Sequence, residues 1–345
     1  MRKGQNPAKF VKDVPRPERI TVALLNYIPF LSGFYAETLD VLNASLESMR
    51  MDAGLPFDLM VFDNGSCAEV CDFLMNEKEE GRIQYLILSE KNMGKGGAWN
   101  VMLAGAPGEI ITYTDADVLF SPNWLSRSVE ILETFPNVGM VTARPFRTPP
   151  EFYESTLKWA KENAKLEEGQ FIPWETFLEF NLSLGQTEEE NKKVYAETRD
   201  WKITYNLMSL RGAERRSNLP LDEETALQKA LGATSKEVAA FAGASHWQFT
   251  AYKSTLQQFL PFDMDKPMGQ VRQLDKRMND AGLLRLMVSD PLAMNMSNTL
   301  GYLRGELKGG ETKKRVSFGK RLLEVGFIKK ILLAVYNKIF NWYYS

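Results

Sequence analysis

Histidine and cysteine are nearly missing from this chain, with one His and two Cys in 345 residues. That excludes a disulfide framework, and Cys67 and Cys71, four residues apart on an expected helix, match no common zinc spacing beside a single histidine. They read as reduced thiols in a cytoplasmic protein. An excess of one charge is missing too: the formal net charge is -2, so no overall field draws the chain to nucleic acid, which is not an expected partner. No stretch approaches the run of about 20 apolar residues that spans a bilayer. Residues 1–18 are basic and carry Pro7, Pro15 and Pro17, but lack the apolar core of a signal peptide and read as a loose arm. Internal repeats and low-complexity segments are absent as well.

From Arg19 onward short apolar runs alternate with amphipathic segments, the pattern of a sheet covered by helices. Strands are expected over 20–26, 57–62, 83–88 and 109–114, and helices over 35–51 and 67–80. Residues 149–235 turn helical and polar, with Glu188-Glu189-Glu190 and the basic Arg211, Arg215 and Arg216, and read as an insertion. Strand and helix signals return over 236–303, with a helix near 270–281, as the second half of the same domain.

Three polar clusters fall at expected strand ends, where loops and helix N-termini of an open α/β sheet converge on ligands. Asp63-Asn64-Gly65-Ser66 follows the second strand and suits either a capped turn or contact with a base or ribose. Asn92 to Asn100 is a glycine-rich helix start in which Gly94, Gly96 and Gly97 permit close backbone approach and Lys95 adds positive charge. Asp115-Ala116-Asp117 follows a buried strand; two adjacent carboxylates there are costly without a cation, whereas Mg²⁺ or Mn²⁺ on a diphosphate takes such oxygens readily.

Taken in order, these clusters resemble the donor half of glycosyltransferase family 2 over residues 19 to about 145. The resemblance implies a GT-A fold: a mixed, mostly parallel sheet with helices on both faces. It implies an inverting, metal-dependent transfer of sugar from a nucleotide-diphosphate donor to an acceptor hydroxyl of a glycan or lipid-linked glycan. By the same resemblance Asp63 meets the nucleobase, Gly94, Lys95 and Gly97 lie near the nucleotide, Asp115 takes the ribose, and Asp117 takes the metal-diphosphate.

The chain departs from that pattern in three places. Leu25-Asn26 stands where the family has Pro-Thr, in a donor-facing position. Gly269-Gln270-Val271 stands where the family has Gly-Glu-Asp, so the usual base is missing; of the nearby carboxylates Asp263, Asp265 and Asp275, Asp265 is the chosen replacement, with a helix N-cap as its other role. Asn295 stands where many GT-A enzymes place a metal-binding histidine. His246, beside Trp247, suits acceptor, phosphate or metal, or a place in the core. Trp159, Trp174 and Trp201 suit sugar stacking or core packing. A sugar nucleotidyltransferase is disfavoured because residues 26–34 hold only Gly33; a sugar- or nucleotide-binding relative without activity is the rival reading. Residues 304–345 are basic, and Ile328, Ile331, Leu332, Val335, Ile339, Trp342 and Tyr343 share one helical face. That pattern fits an amphipathic helix lying on the inner membrane face, or docking on the core or on a second subunit in a homo-oligomer.

Overall fold

The computed structural model describes residues 5–206, 237–265, 270–301 and 304. In chain order the strands are β1 (Ile20–Asn26), β2 (Asp58–Asp63), β3 (Tyr85–Leu88), β4 (Ile110–Asp115), β5 (Val118–Phe120), β6 (Val138–Thr142), β7 (Lys165–Gly169), β8 (Asp200–Asn206), β9 (Glu237–Ala242), β10 (Gln248–Tyr252), β11 (Leu284–Met287) and β12 (Ala293–Asn295). The helices are α1 (Thr38–Arg50), α2 (Ala68–Glu79), α3 (Gly94–Gly105), α4 (Trp124–Thr134), α5 (Glu154–Asn163), α6 (Trp174–Ser183), α7 (Glu188–Glu197), α8 (Lys253–Gln257) and α9 (Gln270–Asp280).

Ten strands form one sheet in the order β3-β2-β1-β4-β10-β6-β11-β9-β8-β7. The first four are parallel, and following the pairings across the sheet leaves only β10, β9 and β7 running the other way. The sheet is therefore mixed and mostly parallel in strand direction, as the sequence predicts. Helices lie on both faces because alternate strand residues point to opposite sides. Val22, Leu24, Leu59 and Val61 join one apolar cluster with Leu42, Leu46, Leu74 and Trp124 of α1, α2 and α4. Ala23, Met60, Phe62 and Tyr113 join another with Trp99 and Met102 of α3 and Leu274 and Met278 of α9.

Strand order reverses between β1 and β4, since β2 and β3 extend to one side and β4 begins the other. A crevice opens at such a reversal, outside the carboxyl ends of the strands. Register brings the motif residues to that edge: Asn26 pairs with Asp63, Leu25 with Asp115, and Asp63 with Leu88. A small second sheet, β5 with β12, sets Asn295 opposite Val118, next to Asp117.

Within 149–206 the expected helices are present as α5, α6 and α7, but β7 and β8 also extend the main sheet. Residues 207–236, with Arg211, Arg215 and Arg216, lie outside the described residues, as do 305–345 with the expected amphipathic helix. Among the described residues no helix is long and apolar enough to cross a membrane.

Candidate donor site

Asp63 ends β2 fully buried. Its Oδ1 accepts from the Gly65 and Ser66 N–H groups at 3.2 and 2.9 Å, and its Oδ2 accepts from Asn26 Nδ2 at 2.8 Å. Both oxygens thus hold the turn and tie β1 to β2, and the fully buried carboxylate offers a nucleobase no open surface. Asn26, in place of the family's threonine, is built into the same network, donating also to Ser66 Oγ at 3.1 Å.

Asn64 links this turn to the glycine-rich loop. Its Oδ1 accepts from the Met93 N–H at 2.8 Å, and its Nδ2 donates to Asn92 Oδ1 at 2.9 Å. Gly65, at φ +91°, lies where a Cβ would come within 2.9 Å of the Lys91 carbonyl carbon. Gly94 opens α3 at φ +68°, and a Cβ on Gly97 would meet Met93 and Met264 side chains at 2.8 and 2.9 Å. These contacts explain the glycines through packing, while leaving the start of α3 at the strand edge.

Lys95, on the first turn of α3, donates to both carboxylate oxygens of Asp115 at 2.8 and 3.0 Å, with its ammonium over the rings of Trp99 and Tyr113. The Tyr113 hydroxyl donates to the same carboxylate. Asp115 is therefore already neutralised by the chain. Asp117 is not: its Oδ1 is buried without a hydrogen-bond partner. Burial, and next the charge of Asp115, push its carboxyl up to about 7, with Lys95 and Asn295 pulling the other way. Asn295 Nδ2 approaches Asp117 Oδ2 at 3.5 Å, while Asn295 Oδ1 accepts from the Ser297 N–H at 2.9 Å. The expected metal ligand is thus brought to Asp117, with its amide nitrogen rather than its oxygen turned toward the carboxylate.

His246 and Trp247 lie in the loop before β10, where the Trp247 carbonyl accepts from the Asp115 N–H at 2.8 Å. The Trp247 ring is 7% exposed and packs on Phe180 of α6 and on Phe146, so it fills the core and offers no open face to a sugar. Trp159 likewise packs between Phe135 and Tyr205. Asp265 is exposed in the stretch leading to α9, and Gly269 lies outside the described residues.

Sequence reasoning missed two ion pairs behind the site. Fully buried Arg144 donates to the Ala293 and Thr176 carbonyls at 3.1 and 2.7 Å and meets Glu179 at 3.3 Å, supporting β12 and α6. Buried Arg285 pairs with Asp275 of α9 at 2.6 Å. A charged residue inside the apolar β11 run is the one signal that pointed to the second pair.

Residues 33–188 match the family Glycosyl transferase family 2. That earlier part of the chain is therefore similar to the family 2 glycosyltransferases. The matched span contains Asp63, the α3 glycines, Lys95, Asp115 and Asp117, and leaves Asn26, His246, Trp247, Asp265 and Asn295 outside it. An uncharacterized glycosyltransferase of Nostoc sp. is 28% identical over 100 residues, 29% of this chain and 31% of that protein. Another from Rickettsia bellii is 29% identical over 89 residues, 26% of this chain and 13% of its own. The chain thus aligns with about a third of the first of these relatives and less of the second. Among solved structures, a mannosyltransferase from Pyrobaculum calidifontis in complex with GDP-Man and Mn²⁺ superposes over 80% of this chain and 58% of its own, with a TM-score of 0.42 and 15% identity.

Proposed function

We propose that the protein moves a sugar, with inversion, from a nucleoside-diphosphate donor to an acceptor hydroxyl. The observation that carries this reading is the pairing, at the β1/β4 strand ends, of a lysine-neutralised Asp115 with a half-buried Asp117 whose Oδ1 is buried and unsatisfied. A diphosphate leaving group needs positive charge around it. Lys95 is one source, and the bare Asp117 oxygen fits a hard divalent cation, Mg²⁺ or Mn²⁺, as the other. Such an ion, once bound, would stabilise charge on the departing diphosphate. Asp117 would hold it; Asn295 would join through Oδ1 only after its amide turned that oxygen toward the ion. Asp115, Asn26 and the start of α3 would orient ribose and phosphates.

The basic amphipathic pattern of 313–345 supports a peripheral place on the inner membrane face and a glycan or lipid-linked acceptor. Partition onto anionic liposomes, lost on deleting 313–345 and weakened by salt, is the expected behaviour. Absence of partition would favour the docking or self-association reading of that segment.

The test of the main reading is calorimetric titration with UDP, GDP, CDP and dTDP sugars, with Mn²⁺ and with chelator. One nucleotide class should bind only with the metal, and Asp117→Ala should lose it while staying folded. No binding by well-folded protein would overturn the donor site. The absence of a carboxylate at Gln270 and Val271 favours one rival, a binding-only relative, whose signature is metal-dependent nucleotide binding with no cleavage of any donor.

A further inference from the structure

Val271 occupies the place of the family's base, and the nearest carboxylate along that helix is turned to another task. Asp275 lies one turn further on α9, so the two positions share a face, and it is buried against Arg285. Arg285 in turn donates to the Ala244 carbonyl at 2.8 Å and to the Phe152 carbonyl at 2.7 Å. The pair therefore holds the loop before β10 from beneath. That loop is fixed at three more points. The Gly243 N–H donates to the Arg285 carbonyl at 2.9 Å, the Ser245 N–H donates to Thr142 Oγ1 at 2.8 Å, and the Trp247 carbonyl takes the Asp115 N–H. Gly243 sits at φ +122°, with a would-be Cβ 2.8 Å from Thr148 Oγ1.

Between those anchors stands His246, half-buried. Among the described residues its imidazole has no hydrogen-bond partner, and since the residue is half-buried the ring is left to solvent or to a ligand. The charged groups acting on it are Lys95 from α3, Asp115 from β4 and Arg285 from β11. A loop held at these points thus carries an unpaired imidazole one residue from the Trp247 carbonyl that takes the Asp115 N–H, within the electrostatic influence of Lys95 and Asp115.

We propose that His246 is the catalytic base that replaces the missing carboxylate and accepts the proton of the attacking hydroxyl; this rests on the glycosyltransferase reading above. In the step, the oxygen of an acceptor hydroxyl or water bonds to the anomeric carbon. The bond from that carbon to the diphosphate breaks, its electron pair leaving on the nucleoside diphosphate, and the hydroxyl proton passes to an imidazole nitrogen. The imidazolium then returns the proton to solvent. Burial, and next the Lys95 charge, hold the imidazole down to about 4, so it enters the step neutral. A diphosphate beside Lys95 would offset that charge and raise its basicity.

The experiment follows nucleoside diphosphate release from UDP- and GDP-sugars with Mn²⁺ and water as acceptor, with calorimetric binding of UDP and GDP measured in parallel. His246→Gln and His246→Asn should keep nucleotide affinity within about twofold, lose about 100-fold or more in kcat, and recover part of the rate with added imidazole. Wild-type turnover in either variant overturns the assignment. So does loss of nucleotide binding in both, which would make His246 a binding residue, or a loss of turnover confined to Asp265→Asn. Those outcomes leave the glycosyltransferase reading standing. A wild-type protein that neither binds nor cleaves any donor removes that reading and the base with it.

Discussion

Asp117 is the residue at which fold and function oppose each other. A carboxylate with one buried, bare oxygen beside a second carboxylate costs the fold stability when it is ionised, and a proton or a bound cation offsets that cost. Asp117→Asn should therefore melt at the same or a higher temperature than wild type in chelator, while losing the Mn²⁺-dependent stabilisation. The sign with pH follows from the raised folded value of about 7 against an ordinary value of 3.8. The folded state holds the extra proton between those values, so stability from this group is present at low pH and lost as pH rises through about 7. The melting temperature of wild type relative to Asp117→Asn, in chelator, should fall between pH 5 and 8. The shift caused by Mn²⁺ should grow over the same range, because the ion must displace that proton. A pH-independent difference would mean that Asp117 is ionised throughout.

At the scale of elements, the site depends on how turns are fastened to one another. Gly65→Ala would force a Cβ against the Lys91 backbone at a φ that disfavours it, and should cost more than about 1 kcal/mol in denaturant unfolding. Asn100 of α3 brackets Phe262, donating to its carbonyl at 2.9 Å and accepting its N–H at 2.7 Å. Asn100→Ala should cost about 1–3 kcal/mol by leaving those groups unpaired. A cost near zero for either would mean that the loops readjust freely. The apolar strands were legible: β1 has the expected bounds and β2 and β4 lie within one residue of theirs, because both faces are buried and the run of apolar residues is continuous. β7 was not legible. Among the described residues it is the sheet's last strand, paired on one side only, and Lys165, Glu167 and Glu168 are tolerated there because an edge need not be apolar. The meeting of Asp117 with Asn295 was legible only through family resemblance, since a strand pair formed across the whole later half of the domain makes it. The Asp275–Arg285 pair left only an unexplained arginine in an apolar strand.

At the scale of the whole molecule, the two halves expected at 19–148 and 236–303 are not separable. β10 lies between β4 and β6, so a strand from the later half completes the centre of the sheet that the earlier half begins. The Asp115 N–H is satisfied by the Trp247 carbonyl, and the main-chain oxygen of Asp117 by the Met296 N–H. A fragment limited to 19–148 would expose the edge of β4 and leave those groups unpaired, and should neither fold cooperatively nor bind nucleotide. In the full chain, ligand stabilisation is shared by everything that must be native for the site to exist. Saturation with Mn²⁺ and the preferred nucleoside diphosphate at about 100 times Kd should raise the unfolding free energy by about 2.7 kcal/mol. Hydrogen exchange should then slow in β10 and β12 as well as in β1, β2 and β4. Protection confined to the first four strands would mean that the later half folds and opens independently of the donor site, and would remove the physical basis for placing His246 on a rigid loop.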